Sequence, residues 1–527
     1  MSTPAGTRLL VALALRRERV RIPVYVLLFV LLVAETAATS QETYPTEATR
    51  AAYVATVEGN PGLIAMVGPP LDLTTVGGDV AWQIGGFGAA FVALMSMFIV
   101  GRHTRAEEQD GRSELIGAAP VGRFAPVTAA LIVVSAAQVL LGVLVALAMI
   151  GAGTPTEGSL ALGASLAGVG LVFAGIAAVA AQVSQGTSSM YGITGGAIGA
   201  AYLLRAAGDV GDGTLSWLSP IGWGQQMRPY AGERWWPLAL MLVATVALVW
   251  GAVALRARRD DGAGLVAPRP GPPTAAPRLT HPLGLALRLQ RGVLLGWSAG
   301  LFISGVSIGL TGRDAKSLVG DSTEISDILG SGAGDIVDQY FAVSMLTMAL
   351  IGAGFGIQVA LRMRAEETSG RLEPLLATAL SRWAWSGAYV AVAMAGSALV
   401  LAANGVGTGV ADAINSHDAS QLPRLIAAGV VPAPAVWVVV GATVALFGFA
   451  PRAAAAGWGV LGACALLTVL GPLLGLPDWV LDLSPFQHVP QLPAAEFAAG
   501  PLLVLCAVAA VLTAAGMAAF RRRDLAP

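Results

Sequence analysis

The residues with the strongest chemical signal are charged, and they occur twice at the same spacing. The first copy reads Arg105-Ala-Glu-Glu-Gln-Asp-Gly-Arg-Ser-Glu-Leu-Ile-Gly-Ala-Ala-Pro-Val-Gly-Arg123. The second copy reads Arg364-Ala-Glu-Glu-Thr-Ser-Gly-Arg-Leu-Glu-Pro-Leu-Leu-Ala-Thr-Ala-Leu-Ser-Arg382, with nine of nineteen positions identical and no gap. A merely solvated loop has no need to repeat its charges, and acidic residues contribute little to membrane orientation. The pattern therefore predicts a partner-docking surface in each copy, and we call these stretches the first and second charged loops.

A sharp reversal and a short helix are expected to present these charges. Glycine permits the reversal at Gly111 and at Gly370. The residues that follow predict short helices over Glu114–Ala119 and Glu373–Ala379. A carboxylate at the start of such a helix complements its dipole. Each loop is thus expected to form a charged knob at the membrane surface.

Other chemistry is missing from the sequence. The two cysteines lie in apolar runs and the four histidines are scattered, which excludes a disulfide framework and a Cys- or His-based metal cluster. No phosphate-binding Gly-x-x-x-x-Gly-Lys-Ser/Thr loop occurs, since Lys316-Ser317 follows Ala315 instead of glycine. We therefore predict no catalytic, cofactor-binding or metal site. ATP hydrolysis, if used, must belong to another polypeptide.

Composition places the chain in a membrane. Of its 527 residues 55% are hydrophobic and 12% charged, with a mean hydropathy of +0.70. A soluble protein would carry about 25% charged residues, so a cytosolic enzyme is excluded. The length accommodates about twelve spans of ~20 residues with their loops. A net charge of −1 argues against a nucleic-acid partner.

The apolar runs predict an all-α polytopic protein, because backbone groups in lipid must be satisfied within each segment. Twelve spans are expected near 22–38, 80–101, 126–150, 160–183, 189–207, 237–255, 293–311, 339–361, 384–408, 426–449, 454–475 and 499–520. With the N-terminus inside, 24 of the 31 basic residues fall in cytoplasmic segments. The positive-inside rule therefore favours a multi-pass plasma-membrane protein with both termini in the cytoplasm.

An internal repeat organises these spans. Besides the charged loops, Leu13–Arg19 matches Leu285–Arg291 and Leu218–Ile221 matches Leu483–Phe486, at offsets of 272 and 265. The chain therefore reads as two parallel six-helix repeats. The expected domains are residues 1–259 and 283–527, joined by a proline-rich cytoplasmic linker over 260–282.

The Leu-Ala-Leu-Arg-x-x-Arg segment before each half's first span is amphipathic and basic. Its arginines are Arg16 and Arg19 in the first half, and Arg288 and Arg291 in the second. Such a segment forms either an elbow helix in the inner membrane interface or an extension of the following span. The pattern alone favours neither.

Four charged residues lie near predicted outer helix ends: Glu35, Asp79, Arg205 and Asp338. An intramembrane charge is a candidate for a transport pathway or gate. Placement near the outer surface also allows the side chain to reach interfacial water by snorkelling. We favour the second interpretation and retain the first.

Both charged loops resemble the coupling-helix region of type-2 ATP-binding-cassette (ABC) exporter permeases. The first loop matches that pattern through Glu107, Glu108, Gly111, Glu114, Ile116, Ala118, Pro120 and Arg123. The second matches through Glu366, Glu367, Gly370, Glu373, Leu375, Ala377 and Arg382. Departures from the pattern are Ala379 in place of the proline, and Arg112 and Arg371 where threonine is common.

The fused twelve-helix form more narrowly resembles actinobacterial exporters of polyketide antibiotics, of the tetronasin-resistance type. The stretch from Trp217 to Pro237 is similar to that subfamily's external segment before helix six. The resemblance implies two copies of a cytosolic ATPase that bind ATP and magnesium, each receiving one coupling helix, and outward movement of an amphipathic substrate. The implied ATPase contacts are Glu107, Glu108, Gly111, Arg112, Glu114, Arg123, Glu366, Glu367, Gly370, Arg371, Glu373 and Arg382.

Two other function classes compete with this interpretation. A proton-driven secondary transporter with 6+6 helices also carries a charged Gly-Arg loop between helices two and three of each half. The paired glutamates, the glutamate after Gly-Arg and the repeated Leu-Ala-Leu-Arg segment favour the ATP-driven class. A membrane-embedded enzyme would need convergent His, Asp or Ser at one depth, and the sequence offers no such set.

Overall fold

The computed structural model describes residues 5–43, 47–58, 61–260, 262–266, 271–312, 336–471 and 476–525. Throughout these ranges every regular element is a helix. The chain divides into two compact units, Met1–Gly271 and Pro272–Pro527. We describe each unit by itself and call them the first and second units.

The first unit contains eleven α-helices in its described residues. They are α1 (Thr7–Glu18), α2 (Arg21–Thr43), α3 (Glu47–Glu58), α4 (Pro61–Val67), α5 (Val76–Gly101), α6 (Arg112–Gly117), α7 (Ala125–Gly151), α8 (Thr156–Val183), α9 (Thr187–Val210), α10 (Pro220–Gln225) and α11 (Trp236–Ala257). Beyond its last residue α5 continues through a π-helical turn over Arg102–Ala106 and one α-helical turn over Glu107–Gln109.

The second unit contains nine α-helices in the part of the chain that the structure describes. They are α12 (Pro282–Thr311), α13 (Ile336–Thr368), α14 (Leu372–Leu376), α15 (Arg382–Ser416), α16 (Leu422–Val430), α17 (Ala433–Phe449), α18 (Gly457–Ala465), α19 (Asp478–Leu481) and α20 (Ala499–Arg522).

Eleven helical stretches among the described residues are long and apolar enough to cross a membrane. The predicted span 189–207 falls within α9, which is helical but too rich in Gly, Ser and Thr to reach the same apolarity. The predicted span 426–449 is interrupted before Pro432, giving α16 and α17. The end of the predicted span 454–475 lies outside the described residues. The chain is therefore an all-helical polytopic protein.

Small and polar residues hold the helices of the first unit together. Gly142 of α7 faces Gly163 of α8 so closely that a Cβ on either would lie within 2.5 Å of the other's carbonyl oxygen. The buried Gln138 amide donates to the Val92 carbonyl at 2.9 Å and to Ser96 Oγ at 2.8 Å, which links α7 to α5. Membrane helices pack in this way because lipid supplies no hydrophobic drive for their association.

The second unit follows the same packing rules through different residues. A Cβ on Gly448 of α17 would lie 2.1 Å from the Gly516 carbonyl oxygen of α20, and a Cβ on Gly516 would lie 2.5 Å from the Val444 carbonyl oxygen of α17. The buried Asn404 amide on α15 donates to the Leu301 carbonyl on α12 at 3.0 Å. Interhelical hydrogen bonds of this kind fix helix register where apolar side chains alone would not.

The elbow segments differ between the two units. In the first, α1 ends at Glu18 and α2 begins at Arg21, so the segment carrying Arg16 forms a helix of its own. In the second, α12 runs without a break from Pro282 and carries Arg288 and Arg291 within it. The segment is therefore a separate helix in the first unit and an extension of the following span in the second, and a position in the inner membrane interface stays a prediction.

The Leu-Ser-Pro motif has one structural role in both units. Ser219 caps α10 and donates to the Ala201 carbonyl of α9 at 2.7 Å. Ser484 precedes a 3₁₀ turn that starts at Pro485, and it lies 2.8 Å from Thr468 Oγ1. Both serines are buried. Each motif thereby ties the segment before the unit's last helix to an earlier helix.

Candidate partner-docking site

Within each charged loop, a long helix ends and the chain reverses at a glycine in the left-handed conformation. Gly111 has φ 72° and Gly370 has φ 69°, values that only glycine adopts at little cost. A Cβ at either position would meet no atom within 4 Å. The glycines are therefore required by backbone geometry and not by a lack of space.

The first glutamate of each Glu-Glu pair turns back onto the arginine that follows the glycine. Glu107 Oε2 accepts from Arg112 Nε at 3.1 Å. Glu366 Oε2 accepts from Arg371 Nε at 3.0 Å. These equal contacts explain the shared Glu-x-x-x-x-Arg spacing, because the ion pair closes the reversal that the glycine opens.

The second glutamate of the first pair holds two arginines. Glu108 Oε2 accepts from Arg105 Nη1 at 2.8 Å and from Arg259 Nη1 at 2.9 Å, while its Oε1 accepts from Arg259 Nη2. Arg105 is fully buried and also donates to the carbonyl of Ala181 in the last turn of α8. A cation at this position satisfies carbonyls that the helix end leaves without partners.

The same arrangement recurs in the second unit. Glu367 Oε2 accepts from Arg364 Nη1 at 3.1 Å and from Arg523 Nη2 at 2.9 Å, and its Oε1 accepts from Arg523 Nη1 at 2.6 Å. The Arg523 guanidinium also lies 5.1 Å from the Phe447 ring and 5.2 Å from the Phe520 ring. A bidentate pair of this kind fixes both orientation and distance.

The last arginine of each charged loop binds the main chain of the arginine that pairs with the second glutamate, which is Arg259 in the first unit and Arg523 in the second. Arg123 Nη2 donates to the Arg259 carbonyl at 2.6 Å. Arg382 Nη1 donates to the Arg523 carbonyl and, at 3.0 Å, to that of Phe520. We call the group made of Arg105, Glu108, Arg123 and Arg259 the first clasp, and the group made of Arg364, Glu367, Arg382 and Arg523 the second clasp.

The short helices after the glycines are the exposed parts of the loops, and we call α6 and α14 the first and second knobs. They end at Gly117 and at Leu376, so the predicted helices over 114–119 and 373–379 were placed slightly late. Glu114 and Glu373 are exposed, and Leu115 is 77% exposed.

The structure divides the predicted ATPase contacts into three groups, and Glu107, Gly111 and Arg382 form a half-buried one. Glu366 and Glu367 are buried, and the Glu108 side chain is only 11% exposed. These carboxylates are occupied by internal arginines. The exposed members are Arg112, Glu114, Arg123, Gly370, Arg371 and Glu373.

A buried carboxylate on the elbow helix was missed by the sequence interpretation. Glu18 is 1% exposed and accepts from Arg102 Nη1 at 2.7 Å, with His103 Nε2 at 3.1 Å. Arg17 beside it pairs with Glu107 at 2.7 Å. These contacts fasten α1 to the first charged loop. A glutamate among the arginines of an otherwise basic segment was the available signal.

Arg259 and Arg523 were also missed, although the sequence carries a signal for them. The tripeptide Arg258-Arg259-Asp260 recurs as Arg522-Arg523-Asp524 at an offset of 264, at the end of the last helix of each unit. Short basic stretches at helix ends are common in membrane proteins, so the repeat was easily read as a topology signal alone.

Two of the four predicted outer charges are buried and do not snorkel. Asp79 is fully buried in the first turn of α5 and accepts from Ser40 Oγ at 2.6 Å and Gln83 Nε2 at 3.1 Å. Arg205 is fully buried in α9 and donates to the Met66 carbonyl at 3.0 Å. The snorkelling interpretation is wrong for both, because internal hydrogen bonds replace water.

The remaining two charges are accessible. Asp338 pairs with Arg424 at 2.7 Å in the first turn of α13. Glu35 lies on an exposed face of α2. A role for any of the four in a pathway or gate stays a prediction.

The comparisons with known proteins agree with this architecture. Residues 279–521 match the family described as "Multidrug efflux system permease Rv1217c, C-terminal domain". The whole chain is similar to the multidrug efflux system permease protein Rv1217c of Mycobacterium tuberculosis (strain ATCC 25618 / H37Rv). It is 41% identical to that protein over 524 residues, which cover 99% of this chain and 95% of the relative. The chain belongs to the Rv1217c family of multidrug efflux permeases.

Membership of the Rv1217c family gives the long apolar helices a function. They are the spans of a multi-pass membrane protein, and the protein is a transport component. A permease of an efflux system works with partner components.

Proposed function

We propose that this protein is the membrane-spanning permease subunit of an ATP-driven ABC exporter. Its twelve helices form two parallel six-helix repeats, with both termini in the cytoplasm. It moves amphipathic or hydrophobic drug-like compounds, including polyketide antibiotics, out of the cell. ATP and magnesium bind to a separate cytosolic ATPase, of which two copies engage the permease.

One observation carries this proposal: each unit presents a short exposed helix, the knob, next to charged residues that pair with one another. The ion pairs within each unit explain the repeated charges without any partner protein. They do not explain Leu115, whose apolar side chain is 77% exposed beside Glu114. An exposed apolar residue flanked by charge fits a small socket on another protein. In the second knob, Glu373 occupies the position that matches Glu114.

A direct test reverses the charge at the tips of the knobs. Glu114→Arg with Glu373→Arg should abolish co-purification of the ABC ATPase with the tagged permease and stop ATP-dependent efflux of ethidium from cells. Glu114 and Glu373 lie in the first turns of their helices. Glu157 and Asp478 are exposed in the first turns of α8 and α19, on the predicted outer side.

Those two residues supply the matched control. Glu157→Arg with Asp478→Arg incurs the same unfavourable interaction with a helix dipole and should leave both ATPase binding and efflux intact. If the knob variant retains its ATPase and its efflux, the knobs are not the docking surface and the proposal fails.

The competing function is proton-driven secondary transport, and the burial of Asp79 favours it more than the sequence alone did. A buried carboxylate is a candidate proton carrier. Collapse of the proton gradient at constant ATP should leave ethidium efflux unchanged if the ATP-driven proposal is right. Loss of efflux under that condition, together with loss in Asp79→Asn, would support the proton-driven class instead.

A further inference from the structure

Two arginines outside the charged loops hold those loops in place. Arg259 and Arg523 follow the last helix of their respective units, 151 and 156 residues from the glutamates that they bind. Both form bidentate pairs with the second glutamate of the motif. Burial of the pair makes the contact costly to break, because removal of one partner leaves an uncompensated charge.

Each clasp joins three separate stretches of its unit. These are the loop end of the second long helix, the start of the helix after the knob, and the segment that follows the unit's last helix. Arg123 closes the first clasp by donating to the Arg259 carbonyl at 2.6 Å. Arg382 closes the second clasp by donating to the Arg523 carbonyl. The end of each unit's last helix is therefore tied to the two segments that flank the knob, by both side chain and main chain.

Apart from the ion pair between Arg112 and Glu107, the first knob has little other support. A cavity of about 360 Å³ lies between it and the rest of the unit, and it is lined by Leu13 of α1, Thr104 of the π-helical turn, Ile116 of the knob and Val127 of α7. A helix of 6 residues with a cavity behind it makes too few packing contacts to move the membrane helices directly. A force applied to the knob reaches the membrane helices through the Arg112–Glu107 ion pair and through the covalent ends of the knob, whose flanking segments the clasp holds.

We propose that Arg259 and Arg523 are positioning residues that transmit movement of each knob to the last helix of the same unit. This inference rests on the proposed function, since it requires an ATPase that moves the knobs. It deepens that proposal by naming the connection that converts docking into helix movement. The knob surface binds the partner, and the clasp passes the displacement on.

The test separates binding from transmission. Arg259→Gln with Arg523→Gln is expressed in the full chain, purified with its ABC ATPase and reconstituted into phospholipid vesicles. We expect the ATPase to co-purify at the wild-type level, because Glu114 and Leu115 are untouched. Ethidium transported per ATP hydrolysed should fall by about tenfold, within the range of ordinary coupling energies.

Two further variants keep the inference falsifiable. Arg258→Gln with Arg522→Gln removes the neighbouring exposed arginines and should leave the transport ratio unchanged. Arg259→Lys with Arg523→Lys keeps the charge but not the bidentate fork, and should restore only part of the ratio. Restoration by lysine is not expected if the arginines act only through packing.

Three results would overturn the inference. One is a transport ratio in the glutamine variant equal to that of the Arg258→Gln, Arg522→Gln control. Another is loss of ATPase co-purification, because the clasp would then shape the docking surface itself. If the glutamine variant aggregates, the lysine variant takes its place, and a transport ratio in the lysine variant equal to that of the wild type overturns the inference. Failure of the wild-type chain to bind any ABC ATPase would instead refute the proposed function, and so the two failures are distinguishable.

Discussion

The loop ends of the two units share one set of contacts and differ in another. In both, a glutamate of the Glu-Glu pair accepts a bidentate contact from an arginine beyond the last helix, at 2.9 Å for Glu108 and at 2.6 and 2.9 Å for Glu367. In both, a left-handed glycine starts the reversal into the knob. Ten of the nineteen loop positions have changed between the copies, yet these contacts are the same.

The surroundings of the clasps are different. Arg259 has an amide neighbour, with its Nε donating to Gln182 Oε1 at 2.8 Å, whereas Arg523 lies against the packed rings of Phe447 and Phe520. The elbow of the first unit is fastened by Glu18, and the matching position in the second is Gln290 in a continuous helix. The comparison teaches that the clasp does not depend on the elbow, and that each unit stabilises it with its own chemistry.

The largest effect should follow from removing the clasp carboxylate. Glu108→Ala or Glu367→Ala leaves two guanidinium groups without their shared anion, which should lower the free energy of unfolding by about 3 to 5 kcal/mol. Glu367 is 2% exposed and Glu108 11% exposed at the side chain, so the second unit should lose more. Unfolding of the purified protein in mixed micelles measures both.

Glu157→Ala, an exposed substitution, should remain within about 0.5 kcal/mol of the wild type. If Glu108→Ala costs more than Glu367→Ala, burial does not rank the two clasps, and the contacts of Arg105 with α8 carry more of the stability than the comparison assigns to them.

The next effect concerns the elbows alone. Glu18→Ala removes a buried carboxylate that Arg102 and His103 contact, and should cost about 3 kcal/mol. Gln290→Ala at the matching position removes an uncharged amide and should cost about 1 kcal/mol. Unfolding of the purified protein in mixed micelles measures both costs. Equal costs at the two positions would contradict a charge-based anchor in the first unit.

The sequence was a good guide to the loops because their contacts are local. Gly111, Gly370 and the Glu-x-x-x-x-Arg pairs involve residues within one turn and one reversal, so spacing alone determines what can meet. Most predicted spans match observed helices because hydropathy is also a local property. The narrow subfamily, the ATPase and its copy number remain predictions from resemblance.

Long-range partners could not be predicted in the same way. The contact between Glu108 and Arg259 depends on how six helices pack, and a basic helix end has a sufficient explanation in membrane topology. The burial of Asp79 likewise depends on Ser40 from another helix. The continuity of α12 was undecidable because its amphipathic pattern suits both an elbow and a helix extension.

A smaller and equal effect is expected at the two reversals. Gly111→Ala and Gly370→Ala each place a Cβ in a left-handed conformation without any steric clash. The backbone penalty is about 1 kcal/mol in each unit. Since φ differs by only 3° between 72° and 69°, the two losses in unfolding free energy should agree. A clear difference would show that one reversal is held more tightly than the other.

The smallest effect on stability should accompany a large effect on function. Glu114→Gln and Glu373→Gln remove exposed carboxylates from the knobs, and each should change the free energy of unfolding by less than about 0.5 kcal/mol. If both knobs dock an ATPase, each single variant should weaken ATPase co-purification, and the double variant should weaken it further. If only the knob with the exposed Leu115 docks tightly, Glu114→Gln should account for nearly all of the loss. The ratio of the two single-variant losses therefore measures how equivalent the two units are towards their partner, a property that the shared geometry of the clasps does not determine.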